Sequence, residues 1–343
     1  MSSSKQRKRK RIIFYLVCLV FLLIFILLIV LLIRAIKNAR ASSPEESNTS
    51  IIAEGSSRES SSAPEGIEII TSDGVTEEML LALSQKDAPE GFHVEIMEEA
   101  MIHQGTQQLV NKVVEYTFQD DWLVNLADQD RYGYGIQEWD IQVAAPMAEP
   151  LNEFLNQFYE NTLSFDLYVM NGYRTKEGAD QLFQQDVDAY GYDYANRYTM
   201  QAGHSEHHTG LAFDLGMYSG VYFNADYDQA NNWIYDHAAE YGFILRYPAD
   251  KEPITQISYE SWHFRYVGVP VATAITTLDM CFEEWCEFIK NYKADAPFEV
   301  SCADGVYGIY YAEGLAVPVP EEGEYEISGN NMDGFVVVMK LSD

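Results

Sequence analysis

The chain has 343 residues, 47% hydrophobic and 22% charged, enough apolar material for one sizeable domain or two small ones and too much for global disorder. Its net charge of −31 is unevenly spread: 9 of the 22 Lys and Arg lie in the first 40 residues, where there is no acid, leaving 13 bases against 53 acids beyond. So acidic a surface argues against nucleic acid as a partner, while the excess itself names no substrate.

Residues 1–11 form a basic tail, and residues 12–33 are an unbroken run of 22 apolar side chains. A helix rising ~1.5 Å per residue carries that run across the hydrocarbon core of a bilayer. Lys5, Arg7, Lys8, Arg9, Lys10 and Arg11 precede the run and only Arg34, Lys37 and Arg40 follow it closely, which predicts a cytoplasmic N-terminus and a single-pass anchor with the remainder outside the cell. Ala39-Arg40-Ala41 has the small-x-small pattern of a signal-peptidase site. The apolar run far exceeds the usual ~7–15 residues of a signal peptide, so a retained anchor is expected. Residues 34–90, richest in Ser, Glu, Pro and Gly over 41–66, cannot bury a core and read as a flexible stalk.

Order is expected to resume at Gly91. Leu151, Phe154, Leu155 and Phe158 make one face of a helix, residues 165–170 a strand, 176–189 a second helix, 211–215 a strand, 230–241 a third helix, 263–267 a strand and 271–292 a fourth helix. Helices and strands mixed without regular β-α-β alternation predict an α+β domain over 91–294, with a mainly antiparallel central sheet flanked by helices. Beyond it, 306–311, 325–327 and 335–339 read as short strands between Gly, Pro and Asn turns, a small β appendage over 295–343 that packs as extra sheet rather than an independent module. Cys281, Cys286 and Cys302 can form at most one bridge; Cys281 and Cys286 fall on different sides of one helix, which favours Cys302 as the partner of either.

Most of the plausible metal ligands sit in two segments, 203–216 (GHSEHHTGLAFDLG) and 259–267 (YESWHFRYV). A catalytic zinc takes about three imidazole or carboxylate ligands and an open position for water, and these segments can supply that set. On a strand through 211–215, Leu211, Phe213 and Leu215 face one way and Asp214 the other. His263 begins an alternating strand, and Glu260, three positions earlier, reaches the same site only from a bend before that strand. The residues alone do not say which of His204, His207 and His208 is a ligand. Isolated His93, His103 and His237 read as surface or capping groups, and Phe264 as core.

Residues 205–214 (SEHHTGLAFD) match Ser-x-His-x-x-Gly-x-Ala-x-Asp, Glu260-Ser-Trp262-His263 matches Glu-x-Trp-His, and Gly172-Tyr173-Arg174 stands upstream. With these motifs, in this order, the region from about 100 to 292 resembles the VanY-like D-alanyl-D-alanine carboxypeptidases, zinc peptidases of the D-Ala-D-Ala carboxypeptidase/hedgehog-type fold. The resemblance implies zinc held by His207, Asp214 and His263, Glu260 as catalytic base, and Arg174 on the free carboxylate of the peptide, with Ser205 and Trp262 on the substrate side. Three positions depart from the family's habit: Ala179 stands for a Gln, Ala202 for a Pro and Ser261 for a Pro. None is an implied ligand, although the missing Gln belongs to the substrate side.

The expected activity is zinc-dependent hydrolysis of the C-terminal D-Ala from peptidoglycan stem peptides, outside the bacterial cytoplasmic membrane to which residues 12–33 attach the chain. The alternatives are an L,D-carboxypeptidase acting on tetrapeptide stems, a non-catalytic wall-binding module, and an endopeptidase for which Arg174 would be dispensable.

Overall fold

The structure, a computed structural model, describes residues 88–117, 121–220, 223 and 229–343. The expected tail, anchor and nearly all of the stalk lie outside the described residues. Among the described residues, no helix is long and apolar enough to cross a membrane.

The strands are β1 (Phe92–Ile96), β2 (Leu123–Asn125), β3 (Gly135–Ile136), β4 (Gln142–Ala144), β5 (Leu167–Asn171), β6 (Ala212–Met217), β7 (Phe243–Leu245) and β8 (His263–Tyr266). After them come β9 (Phe298–Cys302), β10 (Gly305–Glu313), β11 (Ala316–Pro320), β12 (Tyr325–Gly329) and β13 (Gly334–Ser342). The main helices are α1 (Ala145–Thr162), α2 (Lys176–Tyr190), α3 (Tyr192–Tyr198), α4 (Gln229–His237), α5 (Glu252–Thr255), α6 (Val269–Thr277) and α7 (Phe282–Phe288). A five-stranded sheet in the order β3-β5-β6-β8-β7 forms the centre, antiparallel except for the short β3–β5 pair. The domain is α+β, as the irregular order of elements predicts.

Apolar spacing explains how α1 meets that sheet. Leu151, Phe154, Leu155 and Phe158 are all fully buried, and the Phe154 ring stacks on Trp233 of α4 and on Phe243 of β7. From the sheet side, Phe213 and Leu215 enter the same cluster. This layer holds β6 and β8 rigidly from one face and leaves their other face for polar residues.

The C-terminal strands form a second sheet, β12-β13-β10-β9, while β11 pairs with β1. Ile309, Tyr311 and Val336 share a core with Leu109 and with Val271, Ile275, Phe282 and Trp285 of α6 and α7. Two expectations need correction here. The helix foreseen over 271–292 is two helices, because Asp279 adopts a left-handed backbone (φ 53°) and Cys281 caps α7 in reciprocal hydrogen bonds with Glu284. No bridge joins the described cysteines: Cys281 and Cys286 are buried thiols, and the Cys302 thiol lies 3.8 Å from the Thr273 hydroxyl.

Because the second sheet completes the core around α6 and α7, deleting residues 297–343 will abolish cooperative unfolding of the whole domain. A urea titration followed by tryptophan fluorescence checks this; a truncated chain with the wild-type midpoint would show that the sheet is dispensable.

Candidate active site

Three backbone devices converge on one spot. A single 3₁₀ turn, Glu206–Thr209, presents His207, and Gly210 closes it in the left-handed region (φ 71°). A side chain at that glycine would come within 2.9 Å of the Ala144 amide and 2.7 Å of Leu123, so only glycine lets the turn run directly into β6. On β6, Asp214 lies opposite Asn171 of β5 on one side and His263 of β8 on the other. Glu260 sits on the bend before β8, its amide hydrogen-bonded to the Tyr247 carbonyl, which brings it to the face of His263.

His207, Asp214 and His263 are buried, and their ligand atoms lie within 4.8 Å of one another. Each imidazole has one nitrogen already assigned. His207 Nδ1 meets the Gly172 carbonyl at 2.7 Å, which leaves Nε2 facing Asp214 Oδ2 at 3.4 Å. His263 is turned the other way: its Nδ1 lies 2.9 Å from Asp214 Oδ1 and 3.8 Å from Glu260 Oε2, while Nε2 faces Glu206 Oε2 at 3.7 Å. Asn171 fixes the carboxylate by donating from Nδ2 to Asp214 Oδ2 at 2.8 Å. Two imidazoles and a carboxylate, each oriented from behind by a backbone carbonyl, an amide or a second carboxylate, are a donor set that suits zinc.

Electrostatics agrees with that fit. Burial pushes Glu260 up to about 8, against the downward pull of His263, so the carboxyl lacks sufficient positive charge around it. A dication held by these three residues would supply that charge and draw Glu260 to its ionised form. His263 is raised to about 9: burial opposes its charge, but the hydrogen bond to Asp214, the Glu206 carboxylate facing its other nitrogen, and the charges of Asp214 and Glu260 outweigh it. Glu206 is held well below the usual carboxylate range: burial works against its charge, but Arg246 and Arg265 outweigh it.

Glu206 is the functional residue that sequence reasoning missed. Its Oε1 accepts from Arg246 Nε and Arg265 Nη1, both at 2.8 Å, and Arg246 also grips Glu283 through two hydrogen bonds. Its Oε2 has no hydrogen-bond partner among the described residues, and neither does His263 Nε2, which it faces. Two signals stood in the sequence: Glu206 occupies the variable position of Ser-x-His, and Arg265 shares a strand face with His263. Asn171 was missed too, being identifiable only from its cross-strand place beside Asp214.

The other expected residues gather around a cavity of about 190 Å³ lined by His207, Asp214, His263, Glu260, Arg174, Ser205 and Trp262, among others. Arg174 is half-buried, and among the described residues no carboxylate pairs with its guanidinium. Ser205 is buried and Trp262 half-buried. His204 and His208 are occupied elsewhere: His204 Nδ1 meets the Asn111 carbonyl, and His208 meets the Arg174 carbonyl and the Gly203 amide. Of the departures from the family pattern, Ala179 is fully buried on α2, and Ser261 donates its hydroxyl to the Phe223 carbonyl.

Replacing Glu206 by Ala strands Arg265 and one face of His263 in the interior, and is expected to destabilise the fold by about 3–5 kcal/mol, the range for breaking a buried charge pair. Urea unfolding of the metal-free chain reads the loss; an unchanged midpoint would show that the buried network contributes nothing to stability.

Comparison with known proteins places this geometry. Residues 140–269 match the family described as VanY, D-alanyl-D-alanine carboxypeptidase. A D-alanyl-D-alanine carboxypeptidase of Enterococcus faecium is 31% identical over 265 residues, covering 75% of this chain and 82% of the relative. The bifunctional D-Ala-D-Ala dipeptidase and D-Ala-D-Ala carboxypeptidase VanXYC of Enterococcus gallinarum is 38% identical over 138 residues, covering 38% of this chain and 70% of the relative. Among solved structures, the vancomycin resistance D,D-dipeptidase VanXYg in complex with a D-Ala-D-Ala phosphinate analog superposes with a TM-score of 0.65 at 30% identity, over 73% of this chain and 99% of that one. With a family match that spans both motifs and a relative 31% identical over 82% of its length, the chain belongs to the VanY-type D-alanyl-D-alanine carboxypeptidases, a family of zinc metallopeptidases.

Proposed function

We propose that the chain is a D,D-carboxypeptidase that removes the C-terminal D-Ala from peptidoglycan stem peptides. The observation that carries this reading is the meeting, in one cavity, of a buried His-Asp-His set, a buried carboxyl and an arginine without a carboxylate partner among the described residues. The Enterococcus faecium relative, named for this activity, supports the choice of substrate.

His207 would hold zinc through Nε2, His263 through Nδ1 and Asp214 through its carboxylate. When bound, zinc acts as a Lewis acid toward the scissile carbonyl and acidifies the attacking water. Glu260 takes a proton from that water and returns it to the departing amine nitrogen of D-Ala. Arg174 holds the terminal carboxylate with its planar fork of donors, which selects a chain end over a chain interior. Trp262 and Ser205 line the walls against which the peptide lies, and burial of His207, Asp214, His263 and Glu260 limits the access of bulk water to the reacting bond. Residues 12–33 would anchor the chain in the bacterial cytoplasmic membrane, with 34–90 as a stalk that carries the catalytic domain toward the extracellular wall.

Mass spectrometry of defined stems tests the reading. The full-length chain in detergent is expected to remove one alanine from a pentapeptide ending in D-Ala-D-Ala, and to stop when zinc is chelated. A strong preference for the tetrapeptide would identify an L,D-carboxypeptidase instead, and no cleavage of either with zinc bound would leave a binding module. Glu260→Gln should lower kcat by about 10²–10⁴-fold, the usual range for a general base, with zinc content unchanged. Arg174→Ala should lower kcat/KM on free-carboxylate peptides by about 10–100-fold, the weight of a charged hydrogen bond, and far less on C-terminally amidated ones. Equal losses on both would point to an endopeptidase.

A further inference from the structure

A second cavity adjoins the catalytic one. It encloses about 260 Å³ and is lined by Lys112, Asn196, Thr199, Gln201, His204 and Gln256. Thr199 lines both cavities, so they meet across that residue. No hydrocarbon side chain lines the second one, and a ligand there must be held by hydrogen bonds and charge.

Lys112 supplies the fixed charge. Its ammonium hydrogen-bonds the Asn196 carbonyl and, at 2.7 Å, the Gln256 carbonyl, both partners being residues of the cavity wall. Those two bonds occupy two of three N–H donors and leave the charge uncompensated, since carbonyls are neutral. Burial works against the Lys112 charge and Glu252 supports it electrostatically, but the Glu252 carboxylate already accepts from Arg197 at 2.7 Å and from the Ser258 hydroxyl at 3.0 Å. Thr199 donates its own hydroxyl hydrogen to Asp186, so it positions the wall between the cavities rather than a ligand. In a chain with 13 bases against 53 acids beyond residue 40, one cation on each of two adjoining cavities runs against composition and matches a ligand carrying two anionic groups.

We propose that this cavity is the subsite for a second carboxylate of the substrate, held by Lys112 and borne by a residue upstream of the scissile bond. The proposal rests on the carboxypeptidase reading. Arg174 takes the terminal carboxylate and the substrate ends there, so the peptide can only continue upstream, and any further anionic site must serve an upstream residue. The ligand class is a peptide with a free C-terminus and one more carboxylate on the N-terminal side of the bond that breaks. Amidation of that upstream acid turns a good substrate into a poorer one.

The test uses the full-length chain and two synthetic pentapeptides ending in D-Ala-D-Ala, identical except that the upstream acidic residue is free in one and amidated in the other. Wild type is expected to prefer the free acid by about tenfold in kcat/KM, mostly through KM, as one charged hydrogen bond provides. Lys112→Met should bring the two peptides to equal efficiency, the loss falling on the free acid; Lys112→Arg should keep the preference. If Lys112→Met fails to fold, Lys112→Gln, which retains two N–H donors for the carbonyls without the charge, makes the same comparison. A preference that survives loss of the charge overturns the proposal, and so does equal cleavage of both peptides by wild type. No metal-dependent cleavage of either peptide by wild type overturns the carboxypeptidase reading and this proposal with it.

Discussion

A buried carboxylate between two buried arginines is the constraint on which the rest of the site depends. Glu206 is 1% exposed, and Arg246 and Arg265 are wholly enclosed. Three charges in such a place are tolerable only if every one is matched, and they are: two arginines meet one oxygen of Glu206, Glu283 takes the surplus of Arg246, and the remaining oxygen of Glu206 faces His263. That last contact decides which nitrogen of His263 looks into the cavity. The imidazole turns its Nδ1 toward Asp214 and Glu260, so the buried ion network on the same face of the sheet orients the His263 ring.

Register does the same work from the side. β5, β6 and β8 place Asn171, Asp214 and His263 in one row across the sheet, and the aromatic layer on the opposite face prevents the strands from slipping, because a one-residue shift would turn Asp214 into the core and Phe213 into the cavity. Glu260 is placed differently, on a bend, where its carboxyl approaches His263 from outside the His207-Asp214-His263 group. The sheet thus holds Asp214 and His263, a 3₁₀ turn holds His207, and a loop holds Glu260 beside them.

What could be read in the sequence was whatever has a short-range signature. Asp214 facing away from Phe213 and Leu215 follows from the alternation of a strand, the bend at Glu260 from its distance to His263, and the choice of His207 from the motif; in the structure it is His207 that stands beside Asp214 and His263, while both ring nitrogens of His208 meet backbone groups. Long-range pairs were not legible. Arg246 lies 40 positions from Glu206, and nothing beside Leu245-Arg246-Tyr247 announces a buried ion pair. The apolar pattern of 271–292 runs through a helix break because α6 and α7 address the same core. The strand Ala316–Pro320 hid behind Pro318 and Pro320, which are tolerated since β11 pairs with β1 alone. The expected anchor and stalk lie outside the described residues.

The most direct measurement of the central claim is anomalous diffraction at the zinc edge from crystals of the zinc-loaded protein. One peak per chain bonded to His207 Nε2, Asp214 and His263 Nδ1, with Glu260 nearby but not coordinated, is the expected result. A peak that reaches His263 through Nε2, takes Glu260 as a ligand or lies away from these residues would contradict it.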